Sequence, residues 1–251
     1  MPFTPSHIAA VLPFMSRKWA DPWALAIGAM VPDLPIFLPF LPEYGYWHSW
    51  LGVVTLDLLA VFVLVGLFHL VFREPLISLL PPGLAARAAL LAPTRSIVAV
   101  ALGGVIGAAS HVLWDSFTHS YASIQWGDWL EVSVFGVIRL FRLLQYTSSV
   151  VGLAIVLWWA WRGLSRMSAA DLPDRMRVQS WVRRAVLAAC SVGTVLGAVL
   201  WPLVDEPVPH LGLPSVITKV GAGTVIGLCA VLTCYAAGWQ VRRLVAVSEG
   251  A

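Results

Sequence analysis

Hydrophobic residues in this chain come in long unbroken runs, not in the short alternations of a soluble domain. Residues 51–72, 96–114, 149–164, 182–204 and 216–239 are each apolar, and about 20 such residues cross a bilayer as a helix. The run 149–164 is short and closes on WWAW, which suits an aromatic belt at the membrane interface. The first 50 residues read differently. TPSHIAAVLPFM opens with Thr4 as an N-cap and Pro5 at the first helical position. PWALAIGAMV begins at Pro22 and stops at Pro32. At about 10–12 residues each, these two helices are too short to cross and form an antiparallel hairpin turning near RKWAD. His7 lies eleven residues before Lys18 and Asp33 twelve after Asp21, so the hairpin sets both at one depth. Further on, 129–145 (WLEVSVFGVIRLFRLLQ) reads as an amphipathic helix at the interface, with Arg139 and Arg142 on one face. The pattern predicts an all-α polytopic membrane protein with an N-terminal hairpin of short helices, about five transmembrane helices and an outer interfacial helix. Residues 1–164 form a membrane domain, 165–181 a linker and 182–251 a C-terminal helix pair.

Composition supports the membrane reading. Of 251 residues, 59% are hydrophobic and 12% charged, half the charge of an ordinary soluble domain. Thirteen of the sixteen Lys and Arg fall in the 17–21 turn, 73–95, 162–184 and the C-terminal tail. All of these share one side if the spans alternate, which makes that side, and the C-terminus, cytoplasmic. MPFTPSHIAAV lacks the basic start of a signal peptide. Cys190, Cys229 and Cys234 lie within predicted spans, so no disulfide framework is expected. A net charge of +3 is ordinary, and nucleic acid is not an expected partner.

Against this apolar background SHVLWDSFTHS, residues 110–120, stands out. His111, Asp115 and His119 recur every fourth position, advancing about 40° each around a helix, so they share one stripe. An imidazole and a carboxylate at i, i+4 can chelate a divalent ion. His48 and Asp33 complete a mixed nitrogen and oxygen shell that suits zinc, with manganese or iron as alternatives. With His7 these candidate ligands gather at one predicted membrane face, and a cation would offset the cost of carboxylates at membrane depth. The bland alternative is that polar residues at a helix end simply meet water, with Asp115 as a cap. Arg139 and Arg142 are candidates to bind phosphate, or equally lipid headgroups. Asp57, deep in the first span, is expected to bond a neighbouring helix. HExxH, GxSxG and GxxxxGK[ST] do not occur, which removes those protease, hydrolase and nucleotide-binding signatures.

PFTPSH, GAMVPDLP, WHSWLG, SHVLWDSFTH and LLQYTSS occur in that order. With them the chain resembles, over residues 2 to about 164, the bacterial integral membrane proteins grouped as domain of unknown function 4184. More distantly it is similar to membrane-bound metal-dependent hydrolases and to zinc-dependent phospholipase C and P1 nuclease. That similarity implies that Asp33, His48, His111 and Asp115 hold one metal and that Asp115 bridges to a second held with His7. It places His119 in a further subsite. The soluble enzymes follow their last His with a His-x3-Glu pair, which this chain lacks; Asp128 and Glu131 are the only nearby outer acids. The resemblance therefore implies one or two ions.

The expected function is metal-dependent hydrolysis of a phosphoester, lipid-linked phosphates and phospholipids included, at the outer face of a bacterial inner membrane. Asp33 and Asp115 are the catalytic candidates, Zn2+ the expected cofactor, and Arg139 and Arg142 the phosphate-binding residues. Two other classes stay open. A metal-binding transport or sensing protein would use the same ligands, and a non-catalytic subunit of a membrane complex would use the cluster only to bond helices.

Overall fold

In a computed structural model, described over residues 3–91, 96–168, 171–209 and 212–249, the chain is an all-α polytopic membrane protein. Among the described residues, five helical stretches are long and apolar enough to cross a membrane: Leu56–Leu79, Ile97–Thr118, Leu140–Arg166, Ser180–Val204 and Leu213–Val245. The elements used below are α1 (Pro22–Gly28), α2 (Leu56–Leu67), α3 (Ile97–Thr118), α4 (Leu140–Arg166), α5 (Ser180–Val204) and α6 (Leu213–Glu249). Contacts divide the chain into two compact units. One comprises Met1–Pro35, Phe40–Gly66 and Pro93–Arg166; the other comprises Ile36–Pro39, Leu67–Ala92 and Met167–Ala251.

The first unit opens with the expected hairpin. Its first limb is a chain of single turns, Thr4–His7, Ile8–Val11 and Leu12–Phe14. Pro13 removes a backbone donor that a continuous α-helix needs, whereas Pro5 lies in the first turn. Its second limb, α1, starts where the Asp21 carboxylate accepts from the Ala24 N–H at 2.8 Å, with Pro22 at the first position. Pro32 sits in a 3-10 turn, Val31–Asp33. The hairpin packs on α3 along a seam of glycines. A Cβ on Gly28 would lie 2.6 Å from the carbonyl oxygen of Gly104, and one on Gly107 2.6 Å from that of Leu25. Backbones meet this closely only where both surfaces lack side chains.

Along α3 the buried residues are Val100, Gly103, Gly104, Gly107, Ala108, His111, Val112, Asp115 and Thr118. They recur every three or four positions, one face of a helix. His119 does not continue this stripe. α3 ends at Thr118, and His119 has extended backbone, φ −106° and ψ 165°. Its ring folds back instead, Nδ1 lying 2.9 Å from the Asp115 carbonyl oxygen, a side-chain partner for one of the helix's unpaired last carbonyls.

The outer segment also differs from expectation. Instead of one amphipathic helix over 129–145, it forms a short helix at Ala122–Trp126, a 3-10 turn at Asp128–Glu131, and a hairpin of two strands, β1 (Ser133–Val134) and β2 (Ile138–Arg139). Phe135 and Gly136 take positive φ, 55° and 67°, a conformation that cannot propagate a right-handed helix. β-branched Val132, Val134, Val137 and Ile138 favour extended chain. Arg139 is therefore on a strand and Arg142 on α4, so the shared helical face is lost. α4 starts at Leu140, which accounts for the short apolar run: its crossing stretch includes polar Gln145, buried against the protein.

In the second unit α5, with Pro202 near its end, and α6 are long and joined along their own glycine seam. A Cβ on Gly197 would clash with the Gly223 carbonyl oxygen, and one on Gly227 with that of Gly193. Ser78 Oγ shares a 2.8 Å hydrogen bond with the Tyr235 hydroxyl. Gln240 Nε2 donates to the carbonyls of Leu70 and Val71, at 3.3 and 2.9 Å, within a π-helical turn at Phe68–Phe72. The three cysteines are free thiols.

Candidate metal centre

Four separate pieces of the first unit deliver the ionisable side chains. His7 closes the first turn of the hairpin, Asp33 follows α1, and His48 ends the helical turn Tyr44–Trp47. His111 and Asp115 lie one helical turn apart on the buried face of α3. The glycine seam is what makes these pieces meet, because it sets the end of α1 directly against α3. The Ala29 carbonyl oxygen then lies 2.8 Å from His111 Nδ1.

That contact decides the chemistry of His111. A carbonyl can only accept, so Nδ1 carries a proton, and in the neutral ring Nε2 then presents its lone pair inward. His48 is arranged the same way, its Nδ1 lying 3.2 Å from the Tyr44 carbonyl oxygen. The two Nε2 atoms are 3.3 Å apart. His48 Nε2 is 3.6 Å from both Asp33 Oδ1 and Asp115 Oδ2. His111 Nε2 is 3.5 Å from Asp33 Oδ1 and 3.4 Å from Asp115 Oδ2. Four ligand atoms thus lie within 4.8 Å of one another.

These distances can be compared with a metal shell. Zinc ligands stand about 2.0–2.1 Å from the ion, so the edges of a regular tetrahedron of them are about 3.3–3.4 Å. Five of the six edges here measure 3.3–3.6 Å. Most are also too long for good hydrogen bonds. Among the described residues Asp33 Oδ1 and Asp115 Oδ2 have no hydrogen-bond partner, although both are buried. Two carboxylates with oxygens within 4.8 Å of each other repel by on the order of 3–4 kcal/mol at an effective dielectric near 20. With both imidazoles neutral, as metal ligation requires, the two carboxylates carry −2, the charge a divalent cation cancels.

Asp115 faces two ways. While Oδ2 points at the four-atom set, Oδ1 lies 3.4 Å from His7 Nε2 and within 3.5 Å of the Thr118 hydroxyl. His7 stacks on His111, ring centres 3.8 Å apart, and its buried Nε2 has no hydrogen-bond partner among the described residues. Burial, then the neighbouring His111, pushes the His7 pKa down to about 3, so its ring is neutral. Burial opposes charge on Asp33, but the adjacent imidazoles of His111 and His48 outweigh it and hold the carboxyl well below its usual range. Burial also opposes charge on His48, and contacts with Asp115 and Asp33 outweigh it, raising its pKa. His119 Nδ1 is 3.6 Å from Asp115 Oδ2, and its side chain, 16% exposed, is the most accessible of the six.

The structure therefore gathers His7, Asp33, His48, His111, Asp115 and His119. Arg139 and Arg142 turn to other partners. Arg139 makes a 2.6 Å ion pair with Glu131, while Arg142 bonds Gln145 at 3.4 Å and lies over the Phe141 ring. Trp126 stacks on Phe117, 4.2 Å between ring centres, and Trp129 donates to its carbonyl oxygen.

Sequence reasoning missed Thr4 and Tyr44. Thr4 is not a helix cap; its hydroxyl donates to Asp33 Oδ2 at 2.6 Å and is buried. Its one signal was its position a single 3-10 turn before His7. The Tyr44 ring stacks on His48 at 3.7 Å, and its spacing of four from His48 was a readable sign. Asp57 also departs from expectation. It is fully buried, and among the described residues neither of its oxygens has a hydrogen-bond partner, so it bonds no neighbouring helix through them.

The sequence profile of a family described as Domain of unknown function (DUF4184) matches residues 1–237. No curated protein and no solved structure matches the chain.

Proposed function

The chain belongs to the DUF4184 family, whose description assigns no activity, and from the site itself we propose that it is a membrane-embedded, metal-dependent hydrolase of phosphoesters, lipid-linked ones included. The observation that carries this reading is that Asp33 Oδ1, His48 Nε2, His111 Nε2 and Asp115 Oδ2 converge, five of their six separations at 3.3–3.6 Å. These four residues would hold a divalent cation, zinc by their donors, which when bound would supply polarisation of a phosphoryl oxygen and a lowered pKa for adjacent water. His7 and the second oxygen of Asp115 would hold a further ion. Around these, the chain's own groups have assignable tasks. Ala29 and Tyr44 fix the two imidazole tautomers through their carbonyls, and Thr4 orients Asp33. Asp33 Oδ2, which the Thr4 hydroxyl already bonds, would be the carboxylate oxygen left to accept a proton from water. Arg139 exchanges its Glu131 partner for a phosphate oxygen, with Arg142 in support. In this reading the site faces outward from a bacterial inner membrane, with the C-terminus cytoplasmic, as the basic residues divide.

The burial of the donors favours a second reading. Asp33, His111 and Asp115 are fully buried, and a closed four-ligand shell is typical of a structural site, whereas catalysis needs an open position. A metal-holding transport, sensing or structural protein would use the same residues. One pair of measurements separates them. Metal analysis of the detergent-purified protein should find a bound divalent ion that His111→Ala/Asp115→Ala loses. Phosphodiester, phosphomonoester and phospholipid substrates, tested with added zinc or manganese, should show turnover that Asp115→Asn abolishes. Bound metal with no turnover on any class would leave the transport, sensing or structural reading standing; no bound metal would remove both.

A further inference from the structure

The second unit contains a cleft of about 500 Å³ lined by Leu80, Ala86, Met176 and Val178 among others, with Arg177 and Arg183 as its charged residues and no acid among the described residues of its lining. Its place in the chain sets its depth. Ser78 and Leu80 flank the last residue of the crossing stretch Leu56–Leu79, and Ser180 is the first residue of α5. Two span ends meet there, so the cleft lies at one boundary between membrane and water. Its apolar residues adjoin the two spans, and its arginines lie beside their ends.

Four arginines of this unit are engaged elsewhere. Arg73 donates to the carbonyls of Ala89 and Leu91, and Arg87 to those of Gly83 and Met167. Arg175 and Arg243 share Glu74. Arg183, by contrast, reaches only the Leu80 carbonyl among the described residues, at 3.4 Å, with Nη1. Arg177 gives Nε to the Leu172 carbonyl at 3.0 Å and meets Asp174 at 3.4 Å, across a surface where Asp174 is almost wholly exposed. An ion pair so exposed is weak. Both guanidinium groups therefore keep most of their donors for an anion, and a planar fork suits phosphate oxygens.

We propose that this cleft binds the headgroup of an anionic phospholipid, its phosphate between Arg177 and Arg183 and the start of an acyl chain along Leu80, Ala86 and Val178. A volume of 500 Å³ is in the range of small-ligand sites, and basic pockets at span ends are suited to such headgroups. The site is separate from the metal centre and does not depend on how that centre is read.

The test uses the whole protein in detergent, with lipid binding followed by native mass spectrometry and by thermal protection. Phosphatidylglycerol or cardiolipin should bind and protect, whereas phosphatidylcholine should not. Each arginine near an anionic headgroup contributes roughly a five-fold gain, so Arg177→Gln/Arg183→Gln should weaken binding by about tenfold or more. Arg166→Gln, an exposed arginine outside this unit, should leave binding unchanged. Ala86→Leu, which fills the cleft and keeps both charges, should also weaken it. Equal binding by the double variant, or an equal loss in Arg166→Gln, would overturn the proposal in favour of diffuse charge attraction. Protection by inorganic phosphate alone to the same degree would overturn the lipid assignment.

Discussion

Two helix pairs in this protein are packed by the same device to opposite ends. α1 meets α3 through Gly28, Gly103, Gly104 and Gly107, and α5 meets α6 through Gly193, Gly197, Gly223 and Gly227. Between α5 and α6 close approach yields van der Waals packing of two long helices. Between α1 and α3 it carries a backbone carbonyl, Ala29, to the ring of His111 and sets Asp33 opposite Asp115. The difference lies in the chain just beyond each seam. α1 is seven residues long and ends in proline-containing turns, so its chain end remains inside, next to its partner. A glycine seam between full spans makes an anchor; beside a broken helix it makes a site.

The sharpest way to break this comparison is at the ligands. Asp115→Asn should reduce bound metal to background, because both Asp115 oxygens face imidazoles, at 3.4–3.6 Å. The carboxamide keeps the shape, so far-ultraviolet circular dichroism should be unchanged. Next come the seams themselves. A Cβ on Gly107 would lie 2.7 Å from the Ala29 N–H nitrogen, so Gly107→Ala should displace the Ala29 carbonyl from His111. Losing such an outer partner weakens metal binding about 10–100-fold, measurable by competition with a chelating dye. Gly197→Ala, at the other seam, should cost about 1–3 kcal/mol of stability with metal content unchanged. If Gly197→Ala lost the metal as readily, the two seams would not have separate tasks.

A smaller effect is expected at Thr4. Its 2.6 Å hydrogen bond to Asp33 is of the charge-assisted kind, worth about 1.5 kcal/mol, so Thr4→Val should weaken metal binding by about tenfold. The smallest effect concerns pH. His48 has its pKa raised above the ordinary 6.5 in the fold. Without metal, protonated His48 stabilises the protein below that value, and this contribution is lost as pH rises through the raised pKa. A metal needs the neutral ring, so over the same rise its affinity should increase, by about tenfold per pH unit at most for one displaced proton. Thermal melts of metal-free and metal-loaded protein above pH 6.5 should therefore diverge; parallel curves would remove His48 from the ligand set.

Much of the site was readable in advance because its signals are local. His111 and Asp115 stand one helical turn apart in an otherwise apolar span, and membrane-depth ionisable groups attract attention for their cost. The failures were also local in origin but not in cause. Spacing placed His119 on the helix, while the chain leaves the helix one residue earlier. Periodicity made 129–145 helical, while positive φ at Phe135 and Gly136 and a run of β-branched residues turned it into a hairpin. Arg139 consequently sits on a strand and pairs with Glu131, while Arg142 sits on α4 and bonds Gln145.

The membrane class, the number of crossing helices, the short N-terminal hairpin and the pairing of His111 with Asp115 were legible in the sequence. Each of these comes from hydropathy, proline placement or helical spacing, which act over a few turns of chain. Only the tertiary structure decided that four ligand atoms lie within 4.8 Å, which tautomer each imidazole takes, and that Thr4 and Tyr44 support the cluster. Those properties rest on contacts such as Ala29 with His111, 82 residues apart, and no local pattern encodes how closely two backbones will approach.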